Sequence, residues 1–186
     1  DLRSSSFPRA HGASVKSADD LGYFYSGGWN GIVSDILTVN EEIRKMYPES
    51  PVYLFGHSMG SLAVRSFTKR YDSLIDGLIV CGSPSRNPAA GAGRMLAKVI
   101  AAFKGDRHRP AIIQKIAFEG FNRNFKDEGR NAWLSTEAAE HMTKVGYANV
   151  TSHTYDGLRH EILNETGKEM VWNDILNVLN SWYVKA

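Results

Sequence analysis

A chain of 186 residues with 42% hydrophobic and 23% charged residues supplies enough apolar material for one domain with a sizeable core and leaves little room for two. A formal net charge of +2 provides no basic field for nucleic acid, and a single Cys excludes an internal disulfide framework and points to a reducing, cytoplasmic compartment. No run approaches the roughly 18 apolar residues of a membrane span, and the opening "DLRSSSFPRA" lacks the apolar core of a signal peptide. The expectation is therefore a single domain over residues 1–186, without a transmembrane segment and without a nucleic-acid partner. Oligomeric state is not encoded in any of these features.

In chain order, residues 29–47 place Val33, Ile36, Leu37, Ile43 and Met46 on one helical stripe, and "PES" stops it. Val52 to Phe55 has the length of a buried strand, and behind it Met59, Leu62, Ala63 and Phe67 recur at helical spacing. Leu78 to Cys81 is a second short apolar run between Gly77 and Gly82-Ser83-Pro84. Helix then strand, twice, is the rhythm of a parallel sheet. From Asn87 to Ser135 that rhythm breaks into an apolar, helical insertion whose side chains either pack underneath it or line an acyl pocket. Residues 137–145 predict a short helix stopped by Gly146, and "NVTSHTY" at 149–155 predicts a strand. The last helix opens on the capping box Thr166-x-x-Glu169 and buries Val171, Ile175, Val178, Leu179 and Trp182.

The sharpest feature is "VYLFGHSMGSLAVRSF", residues 52–67. A strand that turns at once into a helix forces the backbone through a tight corner, and Gly56 and Gly60 are expected to let the two elements approach there. Ser58 then stands on the corner as a G-x-S-x-G nucleophile elbow. A serine hydroxyl is a weak nucleophile at neutral pH, so it needs a base to take its proton and donors to receive the oxyanion. The Met59 backbone N–H, at the start of the following helix, is expected to be one such donor.

Six histidines compete for the role of base. His57 lies inside the elbow, His108 and His141 in charged helix ends, His153 in the predicted strand, and His11 in a Gly-bearing loop. His160 stands in "YDGLRHEILNE", between the predicted last strand and the last helix. Chain order selects it, because with this elbow the triad runs Ser, then acid, then His.

"LFGHSMGS", "ADDLGYF", "HGASVKS" and "RHEILNE" together resemble the monoacylglycerol lipase or lysophospholipase-like group of the α/β-hydrolase superfamily, the serine aminopeptidase type of hydrolase. The resemblance spans nearly the whole chain, and the insertion, with "CGSPSRNP", "LAKVI" and "AFEGFN", is similar to the helical cap of that group. It implies an α/β-hydrolase fold, a mostly parallel sheet flanked by helices, with 87–135 as the cap. It further implies Ser58 as nucleophile, His160 as general base and Met59 as oxyanion donor through its N–H, acting on a lipid-like monoacyl ester without cofactor or metal.

The resemblance also implies parts that this chain does not show in their usual places. The strands ahead of the "HG" loop do not precede Asp1, and "WLST" runs straight into "EAAEHMTKVGY" where the group carries a strand and its catalytic acid. The expectation is a longer polypeptide, with more strands ahead of Asp1 and a strand and a catalytic Asp between Thr136 and Glu137 or close by. Asp156 shares the loop of His160 and is not assigned the acid role, while Asp72, Asp76, Asp106 and Asp127 read as solvated caps and turns. Two alternatives stay open: a non-catalytic or truncated binding protein on the same fold, and a peptidase or acyltransferase.

Overall fold

The computed structural model describes residues 14–24, 27–83, 90–113, 128–158 and 160–183. Among them, two strands, β1 (Tyr53–His57) and β2 (Gly77–Cys81), pair in parallel from Tyr53 opposite Gly77 to His57 opposite Cys81. The helices are α1 (Gly28–Met46), α2 (Met59–Tyr71), α3 (Ala90–Lys104), α4 (Glu128–Lys144) and α5 (Lys168–Tyr183). The chain divides into two compact units: residues 1–81 with 175–186, and residues 82–174. No helix among the described residues is long and apolar enough to cross a membrane.

The first unit is a β1–α2–β2 crossover with α2 on the strands and α1 on α2. Its core is Val33, Val52, Ala63, Val64 and Phe67, with Phe67 at 0% exposure. At the two helix faces, the Trp29 indole N–H donates to Ser66 Oγ at 3.1 Å, and Arg70 Nη2 donates to Asn30 Oδ1 at 3.1 Å. Trp182 of α5 closes the far end, its ring centroid 5.3 Å from that of Tyr53. A Cβ on Gly77 would stand 2.5 Å from the Trp182 ring, so this contact requires glycine at the start of β2.

Asp76 ties the strands at their entrance. Its Oδ2 accepts from the Val52 N–H at 2.7 Å, and its own N–H donates to the Val52 carbonyl at 2.8 Å. Arg44 of α1 reaches the same carboxylate at 3.4 Å and, with Asn40, donates to the Leu74 carbonyl. Asp76, expected as a solvated cap or turn, instead links the two strand entrances and, through Arg44, α1 in a polar clamp. Asn40 sits at a core position at 4% exposure because that clamp gives its amide nitrogen a partner.

Several expectations need correction. Residues 149–155 carry strand composition but form no strand; a strand exists only through its ladder, and no described segment pairs with this one. On α1, Val33 is buried but Met46 is 62% exposed, because the stripe drifts off the contact with α2 in the last turn. β1 is displaced toward the elbow relative to Val52–Phe55, and Phe55 is 43% exposed, since among the described residues β1 has one ladder partner. The helix expected at 137–145 extends back to Glu128 and runs unbroken through Thr136 and Glu137, so that junction carries no strand. Its stop is as expected, with Gly146 at φ 107°. The last helix begins at Lys168, its first turn closed by the Met170 N–H on the Gly167 carbonyl rather than from Thr166. Its expected face is correct: Val171 is buried, and Ile175, Val178, Leu179 and Trp182 are half-buried.

Cys81 ends β2 at 7% exposure, and burial pushes its thiol up from 9.0 to about 11. The folded state thus holds the thiol proton more tightly than the unfolded chain does. The resulting stability is complete below pH 9 and is lost as the pH rises through 9 to 11, amounting to about 3 kcal/mol for a shift of about two units. Urea titrations from pH 8 to 11 should show the parent losing stability faster than Cys81→Ala over that window; parallel curves would show that the thiol is not held neutral by the fold.

Candidate active site

Ser58 occupies the corner between β1 and α2 with φ 52° and ψ −120°. Among the described residues it is the one non-glycine with positive φ. That region is open to glycine and costs other residues about 1–3 kcal/mol, so it persists only where neighbours over-determine it. Hydrogen bonds on both sides of the residue do so here. The Ser58 N–H donates to the Cys81 carbonyl at 3.0 Å, and the Ser58 carbonyl accepts from the Ser61 N–H at 3.0 Å. The strain thus sits on the residue that sequence reasoning selects as nucleophile.

Close approach at the corner depends on Gly56. A Cβ there would lie 2.6 Å from the Gly60 carbonyl oxygen and 2.6 Å from Val64 Cγ2. Gly60 is different, and the expectation that both glycines admit the approach is corrected: a Cβ at Gly60 would meet nothing within 4 Å among the described residues. Gly60 presents its backbone, not an absent side chain, to the strand. Met59 opens α2, so its N–H is among the donors that a helix leaves without an intrahelical acceptor, while its side chain is 42% exposed. The "HG" loop at His11 and Gly12 lies outside the described residues.

His160 belongs to the second unit and is buried, at 8% exposure. The turn that follows is built by Glu161: its N–H donates to Glu165 Oε1 at 2.9 Å, and its carbonyl accepts from Asn164 N–H at 2.7 Å and Glu165 N–H at 3.0 Å. Gly82 packs directly on the imidazole. It has φ 52°, and a Cβ there would lie 3.2 Å from His160 Cε1 and Nδ1. Sequence reasoning treated Gly82 only as the end of a strand; its position one residue beyond the second apolar run was the available signal.

Ser58 and Met59 therefore share one corner of the first unit, and His160 stands in the second. The remaining acids divide by their partners. Asp76 belongs to the strand clamp described above, and Asp156 is exposed. Asp174 accepts the Tyr155 hydroxyl at 2.9 Å, with His153 Nε2 at 3.9 Å. On α4, Glu137 Oε2 is buried without a hydrogen-bond partner among the described residues.

A family model described as serine aminopeptidase, S33, matches residues 9–127. Among solved structures the chain is similar to a highly thermostable carboxyl esterase from Bacillus coagulans in complex with glycerol, with a TM-score of 0.65 and 18% identity over 92% of this chain and 78% of that one. No curated protein matches the chain.

The glycine geometry separates two variants that the motif alone makes look alike. Gly56→Ala should cost about 2–3 kcal/mol or prevent folding, since backbone cannot yield to a Cβ. Gly60→Ala should stay within about 1 kcal/mol of the parent, its clash-free site being offset further by the better helix propensity of Ala. Thermal melts of the two variants check this, and equal losses would contradict it.

Proposed function

The chain belongs to the serine aminopeptidase S33 family and has the α/β-hydrolase fold, and from that premise we propose that it is a serine hydrolase cleaving carboxylic esters of lipid-like monoacyl substrates. The observation that carries this reading is the strained backbone of Ser58, φ 52° and ψ −120°, at the strand-to-helix corner. Strain of that size at a single serine has no use in packing, whereas an elbow nucleophile needs it to project its hydroxyl.

In the proposed reaction His160 accepts the Ser58 hydroxyl proton as Oγ attacks the ester carbonyl. The oxyanion of the tetrahedral intermediate is received by the Met59 N–H. Collapse expels the alcohol, which takes the proton from His160, and leaves an acyl-serine. Water, deprotonated by His160, then attacks the acyl carbon, and the acid departs as Ser58 regains its proton. Chain order supports His160, and so does its burial against Gly82. We assign residues 87–135 as the cap. Its α3 presents Met95, Val99 and Phe103 at 71%, 50% and 84% exposure, a spacing of four that forms one apolar face suited to an acyl chain.

A peptidase reading has one observation in its favour, the family description itself. Nitrophenyl esters against amino-acid nitroanilides discriminate: the proposal expects turnover of the esters alone, with kcat/KM growing with acyl length by at most about 0.8 kcal/mol per buried methylene. Nitroanilide turnover exceeding ester turnover would replace the ester reading with the peptidase one.

Ser58 variants test strain and chemistry together. Ser58→Ala should lose ester turnover by several orders of magnitude with little change in melting temperature. Ser58→Gly should be equally inactive yet melt about 2–6 °C higher, through relief of about 1–2 kcal/mol of strain. Retained turnover in either variant would refute the assignment.

A further inference from the structure

Ser61 follows the elbow glycine and is wholly buried, at 0% exposure. Its Oγ donates to the Ser58 carbonyl at 2.5 Å, and its N–H donates to the same oxygen at 3.0 Å. The other aliphatic hydroxyls of α2 behave differently. Ser66 donates to the Leu62 carbonyl and Thr68 to the Val64 carbonyl, each one helical turn back within α2. Those bonds serve the helix. The Ser61 hydroxyl also bonds back along the chain, but its acceptor is the N-cap residue, whose backbone is strained.

The acceptor it reaches has a particular partner. The peptide unit from the Ser58 carbonyl to the Met59 N–H is a single plane, and no cis bond occurs among the described residues, so oxygen and N–H point in opposite directions within one rigid group. Holding the Ser58 oxygen therefore aims the Met59 N–H. We infer that Ser61 is a positioning residue for the oxyanion hole, acting through this peptide plane and touching neither substrate nor nucleophile hydroxyl. The inference rests on the reading above, in which Ser58 attacks and the Met59 N–H receives the oxyanion. With Ala at 61 the plane loses its side-chain anchor and can rock about the Ser58 dihedrals, which spoils a donor whose value depends on being preorganised.

The test is Ser61→Ala, with Ser61→Cys as a second variant that keeps a side-chain donor but a weak one. Full removal of an oxyanion donor costs about 100- to 1000-fold in kcat, so misaiming one should cost less. The expected result is a fall in kcat of about 10- to 30-fold for Ser61→Ala, with KM for a nitrophenyl ester within twofold of the parent and Ser61→Cys in between. The inhibition constant of an alkyl trifluoromethyl ketone, whose carbonyl carbon Ser58 Oγ attacks to leave an oxyanion, should rise by a factor matching the fall in kcat. That of the corresponding saturated alcohol, which forms none, should not move. Partial unfolding of a variant weakens both inhibitors by the same factor, so the ratio of the two constants carries the effect and instability does not mimic it. Equal weakening of the two inhibitors, or an unchanged kcat in Ser61→Ala, would overturn the positioning role. Ser58→Ala measured alongside separates the two claims: if it is inactive while Ser61→Ala is normal, only the positioning role falls, and if it stays active, the nucleophile reading falls.

Discussion

The backbone of Ser58 is held from both sides, its N–H by the Cys81 carbonyl at the end of β2 and its carbonyl by Ser61 in the first turn of α2. The first of these would not exist without the parallel register that sets His57 opposite Cys81. That register depends in turn on the Asp76 clamp at the other end of the strands and on Gly56, whose missing side chain lets α2 lie against β1. The first unit can be understood as a device for keeping one serine in a conformation it would not choose. A cost of about 1–3 kcal/mol at one residue is a sizeable fraction of the stability of a typical domain, and it is sustained by burial around Phe67, Val64 and Val33.

The chemistry proposed for the site follows from the same constraint. A strained corner projects a hydroxyl away from its own backbone and begins a helix one residue later, so nucleophile and oxyanion donor come from adjacent residues without any further machinery. What they require from elsewhere is a base. His160 has the burial and the glycine neighbour of an imidazole held in one orientation, and its place after the proposed nucleophile and before the last helix matches the order in which an elbow triad is written along a chain.

How much of this could be read from the residues depended on whether a feature was local. The elbow was readable because strand, serine and helix are contiguous, and the last helix because its apolar face repeats over four turns. The segment at 149–155 misled because alternation and β-branching describe what a strand is made of, while its existence depends on a neighbour contributed by distant chain. Met46 misled for a related reason: periodicity continues to the helix end, but the surface it would pack against does not. Gly56 and Gly60 are symmetric in the motif and unlike in space, since a Cβ on one would strike Val64 and a Cβ on the other would meet none of the described residues. The contacts of Gly82 with His160 and of Ser61 with the Ser58 carbonyl were invisible because no sequence pattern states them.

The central claim, that the strained serine is an activated nucleophile, is tested most directly by treating the folded protein with a fluorophosphonate and mapping the adduct by mass spectrometry. The account predicts one adduct per chain, on Ser58, that disappears when the protein is unfolded before treatment. A folded protein that takes up no label, or takes it up on another serine, would contradict it.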